Sequence, residues 1–294
     1  MSSMTGITSP ARPGSGTGFS DEHPGEAMSA FDLHGRRALV TGGAQGLGQG
    51  MAEALAAAGA AVVIGDVNDE LGRETAQLIG KTGATTGFVH LDVTDESSWA
   101  AAVTATVAEL GGLDVLVNNA GVEITSLVVD IDPRDLRRML EVNVVGTALG
   151  MKHGLRAMRP GGEAGAGGAI VNVSSVAATI AFPGIAGYSG TKSAVDRMTR
   201  IAAAEAGRLG YGVRVNCIYP GLVPTAMGMQ LAVDCAELGL FESPEAAVGA
   251  VVGLTPSGRL GEVADMADAV VFLASDAARF VNGTGLSVDG GMGS

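Results

Sequence analysis

Basic residues are scarce in this chain. Only 18 Lys and Arg stand against 31 Asp and Glu among 294 residues, a formal net charge of −13. A field of that sign repels phosphate backbones and anionic bilayers, so neither nucleic acid nor a membrane surface is expected as a partner. Long apolar runs are missing too, and none approaches the roughly eighteen residues that a membrane span needs. Cysteine is nearly absent. Cys217 and Cys235 show neither CxxC nor His-paired spacing, which argues against a disulfide framework or a zinc site, leaves no metal expected, and fits a reducing cytoplasm. The first thirty residues lack the basic and apolar regions of a secretory leader. Rich in Gly, Ser, Thr and Pro, residues 1–30 read as a flexible tail.

From Phe31 the texture changes. Short β-branched runs (RALVTG, AVVIGDV, TGFVHLDV, LDVLVNNAG, AIVNVSS, VRVNCIYPG and LSVDGG) alternate with Ala-rich stretches of helical period. The spacing predicts helices over 47–58, 95–110, 132–158, 188–209 and 262–275, and a surface loop over 160–168. Strands nearly continuous in apolar residues are those buried on both faces. The expectation is an α/β fold of one domain over 31–294, a doubly wound, Rossmann-type parallel sheet of seven strands with helices on both faces.

The first strand enters a helix through GGAQGLG, with Gly42, Gln45, Gly46 and Gly48 at the turn. Glycine permits a tight turn and lets backbone N–H groups approach a pyrophosphate at the helix N-terminus. In a chain with 46 glycines that spacing alone is a weak signal. Asp66 strengthens it, because an acid ending the second strand can accept hydrogen bonds from the ribose hydroxyls of NAD. The following Val67 and Asn68 offer no cation for a 2′-phosphate, so NAD is expected over NADP.

NNAG (Asn118–Gly121), NVSS and YPGLVPT fall at the carboxyl ends of the fourth, fifth and sixth strands, where open α/β sheets bind ligands. TGGAQGLG, NNAG, the Ser of VNVSS, YSGTK and PGLVPT, in this order and spacing, resemble the short-chain dehydrogenase/reductase family, over essentially all of residues 31–294. The resemblance implies a nicotinamide-dependent enzyme in which Leu47, Asp92, Val93, Asn119, Ala120, Gly121, Pro220, Gly221, Val223 and Thr225 join Asp66 and Val67 around the cofactor. Asp92 and Val93 would bracket the adenine, and Thr225 would bond the carboxamide.

Tyr188 and Lys192 are i and i+4 on the predicted helix and share a face. A free tyrosine, with a pKa of about 10, is a poor base at neutral pH. A nearby ammonium, helped by a cationic nicotinamide ring, is expected to lower that value by roughly 1–3 units. By resemblance Tyr188 is the acid/base, and Lys192 tunes it and reaches the nicotinamide ribose. Ser175 polarises the substrate oxygen, and Asn143 holds a water in a proton relay. Strand alternation lets only one of Ser174 and Ser175 face the site.

Residues 222–256 sit where the family carries a lid. Met227, Met229, Leu231, Leu238, Leu240 and Phe241 would roof the substrate, with Ala177, Ile180 and Ile185 as its wall. The lid has no Lys or Arg, which favours a neutral, hydrophobic, ring-bearing secondary alcohol or ketone over an anionic one. Glu123 stands near the mouth, either solvated or touching substrate. A 3-oxoacyl reductase, and a silent cofactor sensor or scaffold, are the alternatives. The apolar faces of 132–158 and 188–209, with the apolar last strand, resemble the family's dimer interfaces and imply a homotetramer.

Overall fold

The computed structural model describes residues 30–165 and 167–294. Of the tail expected over 1–30, all but Ala30 lies outside the described residues. Strands and helices alternate as β1 (Arg37–Thr41), α1 (Gly46–Ala57), β2 (Ala61–Asp66), α2 (Asp69–Gly80), β3 (Thr86–His90), α3 (Glu96–Leu110) and β4 (Val115–Asn118). Then follow α4 (Pro133–Met139), α5 (Gly146–Met158), β5 (Gly168–Val173), α6 (Ala186–Arg208), β6 (Val213–Pro220), α7 (Ala226–Glu237), α8 (Pro244–Leu254), α9 (Val263–Ala274) and β7 (Gly285–Val288).

The strands form one seven-stranded sheet in the order β3-β2-β1-β4-β5-β6-β7, and every pair is parallel. β1 pairs with β2 on one side and β4 on the other, so the order in which strands are added across the sheet reverses between β1 and β4. A crevice opens there at the carboxyl ends, and it holds the site described below.

Period-2 alternation explains why these strands are apolar throughout. Ala38, Val40, Val62, Ile64, Val115 and Val117 pack on one face against Met51 and Leu55 of α1 and Val270 and Leu273 of α9. Leu39, Val63 and Leu116 pack on the other, against Trp99 of α3 and Met158 of α5. Each such side chain is fully buried, worth about 1.5–3 kcal/mol against exposure. Neither face is left for water.

Elements that differ from the sequence expectation include the third strand and the helix after β4. The third strand stops at His90: Leu91 still donates to the Asp66 carbonyl (3.0 Å), but the Asp92 carboxylate then turns the chain by accepting from the Thr94 amide (2.9 Å) and hydroxyl (2.7 Å). The helix expected over 132–158 is divided by a π-helical turn at Leu140–Val145, a wider winding that re-aims the side chains it carries. Asn143 lies in that turn. No helix among the described residues is long and apolar enough to cross a membrane.

Candidate active site

The β1–α1 turn fits against the end of β4 only through glycine. Gly42 has φ 60°, and a Cβ there would stand 2.8 Å from the Ala120 Cα. Gly48 packs beneath the turn, where a Cβ would come within 2.1 Å of the Gly42 carbonyl oxygen. Expected among the cofactor residues, Gly48 therefore shapes the loop from below and is not part of the cavity wall. Gly46 faces open space: a Cβ there would meet nothing nearer than Thr225, 3.8 Å away. The Gln45 side chain caps nothing, so the first amides of α1 have no side-chain acceptor and can serve an anion at the helix N-terminus.

Asp66 is tied to that loop. Its Oδ2 accepts from the Ala44 amide at 3.1 Å and its Oδ1 from the Asn68 amide at 2.9 Å. Across the crevice, Asn119 donates its side-chain amide to the Thr41 and Gly42 carbonyls, each at 3.0 Å, and its backbone amide to the Thr41 hydroxyl at 3.1 Å. The hydrogen bonds of Asn119 thus lock β1 to β4. Gly42, Gln45, Gly46, Leu47, Asp66, Val67, Asp92, Val93, Asn119, Ala120 and Gly121 all border one cavity of about 550 Å³, as do Pro220, Gly221, Val223 and Thr225. Open helix amides, a carboxylate at the end of β2 and apolar wall residues such as Leu47 and Val93 fit an adenine dinucleotide.

Ser175, Tyr188 and Lys192 border the same cavity. The two adjacent serines differ in what they hold. The buried Ser174 donates its hydroxyl to the Lys192 carbonyl at 2.8 Å and so pins α6 to β5. Ser175 accepts from the Ala177 amide at 3.1 Å, and its hydroxyl favours the ionised form of the Tyr188 phenol. Lys192 is buried, donates to the Val173 carbonyl at 2.8 Å, and lies 5.5 Å from the centre of the Tyr188 ring.

In the chain alone the phenol shifts opposite to the sequence expectation. Burial pushes Tyr188 up to about 12, opposed by the Ser175 hydroxyl and reinforced by the charge of Glu123. Burial also drives Lys192 down to about 8. The lysine is committed to a carbonyl and is itself desolvated, and its charge does not offset the cost of a buried phenolate.

Asn143 is fully buried and does not border the cavity. Its amide clasps Val122, accepting from the backbone N–H and donating to the carbonyl, both at 2.8 Å, and donates again to the Thr191 hydroxyl at 3.0 Å. Thr191 in turn donates to the Tyr188 carbonyl at 2.7 Å. Asn143 therefore joins the segment after β4 to the turn of α6 that carries Tyr188 and Lys192.

The remaining wall is apolar, including Ala177, Ile180, Phe182, Ile185, Met227 and Leu231. Met229, expected among the substrate residues, stays outside it and is 40 % exposed, since two steps along α7 turn it away from Met227. Leu240 and Phe241 do not form the roof either. They pack with Phe182, Ala232, Cys235 and Ala247 in a small core of their own, with the Phe182 and Phe241 rings stacked 6.0 Å apart. Glu123 lies behind the wall, hydrogen-bonded to the Thr125 hydroxyl at 3.0 Å.

Several wall residues escape the sequence reading, Val142, Phe182, Arg138 and Met292 among them. Arg138 reaches the cavity from α4, the only cation there besides Lys192 among the described residues. Met292, beyond the last strand, carries no local signal at all.

Known proteins resemble this chain over most of its length. The family model described as enoyl-(acyl carrier protein) reductase matches residues 42–293. Trans-4-hydroxycyclohexanecarboxylate dehydrogenase of Sinomonas cyclohexanicum is 40% identical over 260 residues, covering 86% of this chain and 91% of that protein. Cyclopentanol dehydrogenase of Comamonas sp. is 38% identical over 253 residues, covering 86% and 95%. Among solved structures, a gluconate 5-dehydrogenase from Burkholderia cenocepacia in complex with NADP and tartrate superimposes with a TM-score of 0.81 at 35% identity, covering 90% of this chain and 98% of that one.

Proposed function

Because the chain belongs to the short-chain dehydrogenase/reductase family, an oxidoreductase family with nicotinamide cofactors, we propose that it is an NAD-dependent dehydrogenase of neutral, hydrophobic, ring-bearing secondary alcohols. The meeting of Ser175, Tyr188 and Lys192 with Asp66 in one cavity, beside an apolar stretch of wall that includes Ala177, Ile180 and Ile185, carries this reading. The names of two relatives, a cyclopentanol and a hydroxycyclohexanecarboxylate dehydrogenase, favour a cyclic substrate.

NAD, when bound, supplies the hydride-accepting ring. The chain's own work is to orient the alcohol and manage one proton. Ser175 holds the alcohol oxygen by a hydrogen bond that strengthens as charge develops on it. Tyr188 takes the hydroxyl proton in oxidation and returns it in reduction. Lys192 and Thr225 orient the nicotinamide end, and Asp66 the adenosine ribose. Asn143 supports Tyr188 and Lys192 through Thr191 and forms part of the proton relay. The apolar wall keeps the alcohol's ring out of water.

NAD is favoured over NADP by the Asp66 carboxylate and by the absence of any basic residue at Val67 and Asn68. Exposed Leu140, Val145 and Ile201 on the α4–α6 layer, with the wholly exposed Phe280 before β7, favour a homotetramer. The test is NAD reduction by the purified protein with cyclopentanol, cyclohexanol, aryl carbinols and steroid alcohols. Turnover of at least one is expected, and inactivity with all of them overturns the reading.

A further inference from the structure

The segment after β7 returns to the site. The Val288 carbonyl accepts from the Gly221 amide at 3.0 Å, and the buried Asp289 then turns the chain. Its Oδ1 accepts from the Gly291 amide and its Oδ2 from the Gly293 amide, each at 3.0 Å. Gly290 and Gly291 have φ 63° and 90°, left-handed values that a larger residue resists.

This turn is clamped at both sides. On one side Gly290 accepts from the Ser257 amide at 3.0 Å, and a Cβ on Gly291 would stand 3.1 Å from the Pro256 ring. On the other, a Cβ on Gly293 would stand 2.8 Å from the Thr179 hydroxyl and 3.2 Å from Val176. The segment therefore spans from the turn after α8 to the residues just after Ser175. Met292 sits between the two clamps, half-buried, and borders the cavity with Ala177, Ile180 and Val251.

We propose that Met292 is a specificity-determining residue whose thioether closes the end of the cavity that takes the alcohol's ring. Its backbone is fixed by the Asp289 carboxylate and two glycines, so the wall cannot retreat by moving the chain. Its side chain is unbranched, so the surface it offers adapts to rings of different outline. The substrate class that follows is an apolar ring whose size, more than its polar decoration, decides turnover. This inference rests on the alcohol-dehydrogenase reading and deepens it.

The experiment compares kcat/KM for cyclopentanol and for the fused bicyclic alcohol decahydro-2-naphthol in the wild type, Met292→Ala and Met292→Trp, with NAD affinity followed by fluorescence titration. Truncation should shift the ratio toward the bicyclic alcohol by about tenfold or more, the scale of a few methylene-sized contacts in an apolar pocket. Met292→Trp should shift it the other way, and NAD affinity should stay within about twofold in both. An unchanged ratio in Met292→Ala, or a shift matched by loss of NAD affinity, overturns the inference. If Met292→Trp does not fold, the alanine variant decides alone. A wild type that oxidises neither these two alcohols nor the wider panel overturns the functional reading, and the inference with it, before any variant is made.

Discussion

The Lys192 ammonium lies 5.5 Å from the centre of the Tyr188 ring but donates its hydrogen bond to the Val173 carbonyl. With the phenol pushed up to about 12, Tyr188 is a ready proton donor at neutral pH and a base only as the pH rises. Alcohol oxidation should accelerate between roughly pH 7 and 10, while reduction of the matching ketone stays nearly level because the phenol keeps its proton throughout that range. Paired pH–rate profiles check this, and parallel profiles in the two directions would remove Tyr188 from the role. Tyr188→Phe keeps the ring packing and deletes the oxygen. It should cost at least about 100-fold in kcat with NAD affinity nearly unchanged.

The serines separate structure from chemistry. Ser174→Ala removes the hydrogen bond that ties α6 to β5 at 2.8 Å, which should cost about 0.5–1.5 kcal/mol of stability and little turnover. Ser175→Ala should do the reverse, lowering kcat while the urea midpoint barely moves. Equal effects of the two changes on both readouts would contradict the assignment.

Asp66 sets the cofactor prediction. Facing a 2′-phosphate, its carboxylate adds repulsion and leaves the phosphate unpaired, a discrimination of about 2–4 kcal/mol. kcat/KM should favour NAD by that margin. Asp66→Ala should narrow the gap mainly by weakening NAD, since the Ala44 and Asn68 amides that the carboxylate holds lose their acceptor as well. Comparable efficiencies with the two cofactors in the unmutated protein would sink the assignment.

Much of the scaffold was legible in the sequence because burial on both sheet faces writes itself as unbroken β-branched runs. Leu39 faces one helical layer while Val40, beside it, faces the other, so neither position tolerates a polar residue. Candidate site residues carried on regular elements were legible as well: Tyr188 and Lys192 come together because α6 is helical, and Asp66 reaches the crevice because β2 ends there. What the sequence hid depends on tertiary packing. Gly48 looks like its neighbours in GGAQGLG, yet it lies under the Gly42 carbonyl. The phenol's shift follows from burial and from where the ammonium spends its hydrogen bond, neither of which has a local signature. Met292 sits in a loop whose path is set by Asp289 and the 255–258 turn, and no periodicity announces it.

Glu123 gives a test that is independent of turnover. Burial pushes its carboxyl up from 4.5 to about 7, opposed by the Thr125 hydroxyl and helped by Asp234. The ionisable groups around it are Asp234 and Cys235 of α7 and Tyr188 of α6. None supplies positive charge. In the unfolded chain the carboxyl ionises near 4.5, whereas in the folded protein it keeps its proton to about 7. Between those values the folded state binds more protons than the unfolded one, so stability falls as pH rises. The stabilisation is complete below 4.5 and is lost as pH passes through about 7, a change of up to about 3 kcal/mol. Glu123→Gln cannot ionise and should lack this slope, matching the wild type at the acidic end and exceeding it above neutrality. Urea midpoints of both proteins from about pH 4.5 to 8 make the comparison. If the two sets of midpoints run parallel across that range, the proton lost near neutrality belongs to another group, and Glu123 is an ordinary solvated acid.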